Sequence, residues 1–78
     1  MSSEYFAKTK KVIEEKTGVS PGDIHEGSFF EDDLNIGEME LLEILSELEE
    51  MYRVDLVSEQ ENIATVQDII DLLSEKID

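Results

Sequence analysis

The chain has 78 residues, 40% of them hydrophobic, with 21 acids against six Lys and Arg, one His, no Cys and a net charge of −15. That length holds one core, so residues 1–78 are expected to form a single domain, and the lack of Cys excludes disulfides and thiolate metal centres. The charge argues against nucleic acid and anionic membrane surfaces and favours protein partners with basic patches. No apolar run approaches the roughly 20 residues of a membrane-spanning helix, and Met1-Ser2-Ser3-Glu4 lacks a signal peptide's basic and apolar regions, so a cytoplasmic monomer is expected.

The first helix is expected over Ser3 to Lys16, with Ser2 or Ser3 as its cap and Glu4 in its first turn. Tyr5, Phe6, Thr9, Val12 and Ile13 form its apolar stripe, and Gly18 ends it. In Ser20-Pro21-Gly22-Asp23, Ser20 reads as a cap, Pro21 as the first helical position and Asp23 as the capping-box acid. Ile24 turns inward. Glu26 to Asn35 is a loop, anchored by Phe29 or Phe30 and by Leu34.

The second helix begins between Ile36 and Glu38 and runs to Tyr52. Leu41, Ile44, Leu45, Leu48, Met51 and Tyr52 share one face at helical spacing, and Glu40, Glu43, Glu47 and Glu50 share the opposite one. Met39 and Leu42 lie at or beyond the edges of the apolar stripe, either as ordinary exposed residues or as part of a docking surface. Between Lys16 and Arg53 there is no Lys or Arg. Like charges at helical spacing are mildly destabilising, so folding alone gives no reason for that run, and a binding face does. Ser58 reads as the cap of a one-turn helix ending at Asn62. Thr65 caps the last helix with Asp68 at the capping-box position, and Val66, Ile69, Ile70, Leu72, Leu73 and Ile77 line its buried side.

Catalytic patterns are missing. One His and no Cys leave no nucleophile–base pair, and His25 reads as a loop residue. The glycines form no phosphate-binding pattern. Glu31-Asp32-Asp33-Leu34-Asn35 fails as a calcium loop, since Ile36 falls where glycine is needed and Leu42 where the bidentate Glu belongs. Neither an enzyme nor a metal site is expected.

The order of elements and three stretches of sequence resemble the acyl carrier protein family. The stretches are Val12-Ile13-Glu14-Glu15-Lys16-Thr17-Gly18-Val19, then Phe30-Glu31-Asp32-Asp33-Leu34-Asn35-Ile36 followed by the acidic helix to Tyr52, and finally Leu56 with Ile63-Ala64-Thr65-Val66-Gln67-Asp68-Ile69-Ile70. The resemblance covers nearly the whole chain. It implies an all-α four-helix bundle of three longer helices and one short one. It also implies a phosphopantetheine arm on the serine of an Asp-Ser-Leu triplet that opens the second helix. The matching triplet here is Gly37-Glu38-Met39, so Glu38 replaces the attachment serine, and no cofactor is expected there. Ser28 and Ser46 lie off that register.

Glu38 has two readings. It is favoured by the dipole in a helix's first turn, or it imitates the phosphate of a modified serine. The leading expectation is a carrier-fold binding module that docks on enzymes of fatty-acid, polyketide or related biosynthesis. Its docking residues would be Met39, Glu40, Leu42, Glu43, Glu47, Glu49 and Glu50. The alternatives are a working carrier with a displaced attachment residue, and an acidic regulatory or divalent-cation-binding protein unrelated to acyl chemistry.

Overall fold

A computed structural model describes the backbone of residues 2–78 and the side chains from Glu4 onward. The capping role expected of Ser2 or Ser3 therefore lies outside the described side chains. Three α-helices, α1 (Ser2–Thr17), α2 (Glu38–Tyr52) and α3 (Val66–Ile77), are joined by loops that carry a 3-10 turn at Pro21–Asp23 and a 3-10 helix at Val57–Asn62. This is the all-α bundle of three longer helices and one short one. α1 packs against both α2 and α3, and the 3-10 helix packs on α2.

The apolar stripes make the core. Tyr5, Val12 and Ile13 of α1 meet Leu41, Ile44, Leu45 and Leu48 of α2 and Val66, Ile69, Ile70 and Leu73 of α3, all buried. Each such side chain contributes about 1.5–3 kcal/mol on removal from water, before the entropy of ordering the chain is subtracted. Phe6, Val19, Tyr52 and Leu72 pack at the margin. The Tyr5 and Tyr52 rings meet edge to face, with centroids 5.6 Å apart at an interplanar angle of 82°.

The helix ends follow the local chemistry closely in two places. Gly18 takes φ of 81°, the left-handed conformation in which a Cβ is strained, and its N–H donates to the Glu14 carbonyl at 2.8 Å. At α3, the Thr65 hydroxyl accepts from the Asp68 N–H at 3.2 Å while the Asp68 carboxylate accepts from the Thr65 N–H at 3.0 Å and from the Ala64 N–H at 2.8 Å. Three backbone N–H donors at the helix start are thus satisfied by two side chains.

The loop over residues 24–37 is fixed to the bundle from both sides. Ile24, Phe30, Leu34 and Ile36 are buried. Along its other side, Phe29 and Thr65 form an isolated antiparallel bridge, the Phe30 N–H donates to the Ala64 carbonyl at 3.0 Å, and the Gln67 N–H donates to the Glu26 carbonyl at 2.7 Å. Of the two phenylalanines, Phe30 is the anchor at 2% exposure and Phe29 faces out at 47%.

Four expectations need correction. Ser20 precedes the 3-10 turn but makes no side-chain capping bond, and Asp23 bonds the Ser20 carbonyl through its backbone N–H rather than closing a capping box with its carboxylate. Ser58 lies inside the short helix and donates its hydroxyl to Asp55, leaving Leu56 at the cap position. Met51 is 44% exposed: at 100° per residue it points about 80° away from Leu41, at the edge of the stripe. Ile77 lies within the stripe of α3 by angle, yet it is 42% exposed because it is the helix's last residue.

Candidate functional site

α2 begins at Glu38, with Gly37 in the cap position. Glycine has no side chain to accept from the first helical N–H groups. The compensation comes from the other direction, as Glu40 Oε1 accepts from the Gly37 N–H at 3.4 Å. Glu38 and Glu40 both lie in the first turn, where carboxylates offset the positive end of the helix. The Glu38 side chain is exposed, and its backbone carbonyl accepts from Gln60 Nε2 at 3.0 Å. That bond ties the 3-10 helix to the start of α2.

Beside Glu38 lies a groove of about 870 Å³. The 3-10 helix, the loop carrying Phe29 and Phe30, and the first turn of α2 form its walls. Ile36, Leu41 and Ile63 contribute to its floor.

The outer surface of α2 carries the expected face, with changes. Met39 is 77% exposed and Leu42 36%. Glu43 and Glu50 are exposed, and Glu40 and Glu47 half-buried. Lys16 Nζ lies 3.6 Å from Glu47 Oε1, so Glu47 is partly engaged within the chain. A surface pair of this kind is worth at most about 1 kcal/mol and a partner can displace it. Glu49 departs from the expected docking face. Its Oε2 accepts from the Leu56 N–H and the Val57 N–H, both at 2.7 Å. This carboxylate faces the chain itself and holds the start of the 3-10 helix, whose first N–H groups have no partner within the turn.

The serines off the expected register differ from one another. Ser28 is 6% exposed, and its Oγ accepts from the His25 N–H at 2.9 Å. Ser46 is exposed on α2. His25 is exposed in the loop. Among the described residues, no group of three or more His, Asp or Glu side chains is arranged to hold a metal ion, and no helix is long and apolar enough to cross a membrane.

The perturbed titrating groups stand apart from the acidic face. The Tyr5 hydroxyl donates to Asp78 Oδ1 at 2.8 Å, and this bond, reinforced by burial and by the nearby carboxylate charge, pushes the phenol up to about 12. Burial pushes the Tyr52 phenol up as well. The hydrogen bond from the Ser58 hydroxyl holds the Asp55 carboxyl below the usual range.

No family model matches the chain. An acyl carrier protein of Thermosynechococcus vestitus is 30% identical over 76 residues, covering 96% of this chain and 94% of the relative. A second acyl carrier protein, from Chlamydia muridarum, is 35% identical over 68 residues, covering 86% of this chain and 88% of the relative. The chain belongs to the acyl carrier protein family. Its bundle of three longer helices and a short one is thus an acyl-carrier-type bundle.

Two features of this acyl-carrier-type site escaped the sequence. The Gln60 bond to the Glu38 carbonyl links two elements with no periodic relation, and a lone Gln carries no signal for it. The inward turn of Glu49 was more accessible: a Glu near the end of a helix, followed by a short link and a second helical start, is placed to cap that start.

Proposed function

We propose that this acyl carrier family member is a non-enzymatic docking module. It binds basic patches on enzymes of fatty-acid, polyketide or related biosynthesis and carries no phosphopantetheine at the start of α2. The observation that carries the reading is Glu38 itself. It occupies the first position of α2 with an exposed carboxylate, at the place where the family resemblance puts the attachment serine. A carboxylate offers no hydroxyl for a phosphodiester, and Gly37 offers no side chain at all. The residues present at this position do not fit the arm.

Docking rests on α2. Glu43 and Glu50 supply unpaired charge, Glu40 and Glu47 add to it at the margins, and Met39 and Leu42 give apolar contact. Charge attracts the partner from a distance, and the two apolar side chains add contact area once it has arrived. Reversal of Glu43 and Glu50 to Lys is expected to abolish capture by purified biosynthetic enzymes with basic docking patches, while reversal of exposed Glu75 on α3 leaves capture in place. Equal capture by all three proteins contradicts the docking reading.

The second reading is a working carrier with a displaced attachment residue. One observation favours a particular residue for it: the Ser46 hydroxyl is exposed on the same helix, whereas the Ser28 hydroxyl is buried and engaged.

A further inference from the structure

We propose that Met39 is a reversible oxidation site through which peroxide weakens docking on α2. The inference rests on the docking reading above and names a regulation of that surface. The chain has no Cys and no Trp, so its three methionine thioethers are the side chains that peroxide attacks first. Of the two methionines whose side chains are described, Met39 is 77% exposed and Met51 44%. Met39 therefore meets a small oxidant from solution more freely.

The step is a two-electron oxygen transfer. A sulfur lone pair attacks one peroxide oxygen, the O–O bond breaks, an S–O bond forms, and the other oxygen leaves as water. Sulfur is oxidised and peroxide is reduced. The reverse step takes two thiols, which become a disulfide as the sulfoxide oxygen departs as water. This chain holds no thiol, so a thiol-dependent sulfoxide reductase supplies them.

Position decides what the added oxygen does. Met39 is the second residue of α2 and takes no part in the buried core, so a sulfoxide there leaves the bundle intact. Its partially negative oxygen is tolerated at the positive end of the helix, where Gly37 supplies no side-chain acceptor. Leu42 and Glu43 follow one turn on, so the new polar group lies beside two exposed side chains on the same side of the helix. Oxidation turns a flexible apolar side chain into a polar one. A docked partner must then strip water from the sulfoxide or forgo contact with it. Met51 lies in the last turn of α2, away from this group.

The test exposes the intact protein to hydrogen peroxide and follows both methionines by peptide mapping. Met39 is expected to oxidise severalfold faster than Met51. The protein oxidised at Met39 should keep its helical spectrum and lose capture by the purified biosynthetic enzymes about tenfold, and a sulfoxide reductase with dithiothreitol should restore it. Met39→Gln, which carries a polar group on a stem of similar length, should weaken capture without peroxide. Met39→Leu should show no peroxide-dependent loss, which separates Met39 from the other methionines. Oxidation of Met51 as fast as Met39 would overturn the proposal. So would capture unchanged by oxidation in a protein whose capture is abolished by Glu43→Lys with Glu50→Lys, and that result leaves the docking reading standing. Capture unchanged by oxidation and by charge reversal alike would overturn both.

Discussion

Glu49 Oε2 accepts from the Val57 N–H at 2.7 Å, across eight residues of chain, and accepts the Leu56 N–H at the same distance. A residue on the most acidic helix thereby becomes a structural cap for the 3-10 helix, a role that exposed Glu43 and Glu50 do not share. Glu49→Ala removes a charged acceptor from two half-buried donors and is expected to cost about 1–3 kcal/mol. Glu43→Ala relieves repulsion along the exposed face and is expected to be neutral or slightly stabilising. Urea unfolding of the two variants separates the roles; equal midpoints would contradict the assignment of Glu49.

Tyr5 makes stability fall at alkaline pH. Its folded-state pKa of about 12 lies above the ordinary 10.0, so the folded chain holds this proton more tightly than the unfolded chain. The contribution is complete below pH 10 and is lost as the pH rises through about 12. Tyr5→Phe should flatten the fall in unfolding midpoint over that window. A residual slope remains from Tyr52, which burial also raises. Parallel pH profiles for the two proteins would contradict the role given to the Tyr5–Asp78 bond.

Thr9 hides a hydroxyl without a partner. The residue is fully buried on the core stripe of α1, and its Oγ1 makes no hydrogen bond among the described residues. An unpaired buried hydroxyl costs about 1–3 kcal/mol, so Thr9→Val, which keeps the branched shape, is expected to raise stability by roughly 1 kcal/mol. A lower urea midpoint in the variant would count against this account of the hydroxyl.

Elements governed by near neighbours were legible in the sequence. The Thr65–Asp68 box, the Gly18 stop and the stripe of Leu41, Ile44, Leu45 and Leu48 all rest on spacings of three or four residues, and the structure has each of them. Ser20 and Ser58 show the limit of that logic. A capping residue type beside a helix start need not cap, and Ser58 finds Asp55 instead. Met51 and Ile77 have the right residue type but sit where the stripe runs out, at its edge or its end. The candidate site was half legible. Helical spacing put Met39 and Leu42 at or beyond the edges of the apolar stripe and Glu43 and Glu50 opposite it, and all four are exposed. The groove was not legible, because it forms where residues of the loop, the first turn of α2 and the 3-10 helix meet.

The attachment question is tested most directly by mass. The intact protein is incubated with coenzyme A and a promiscuous phosphopantetheinyl transferase, then weighed by mass spectrometry, with Glu38→Ser treated in parallel. The account predicts no adduct on the native chain and a phosphopantetheine adduct on the Glu38→Ser protein. A stoichiometric adduct on the native chain, mapped to Ser46 or any other serine, would contradict it.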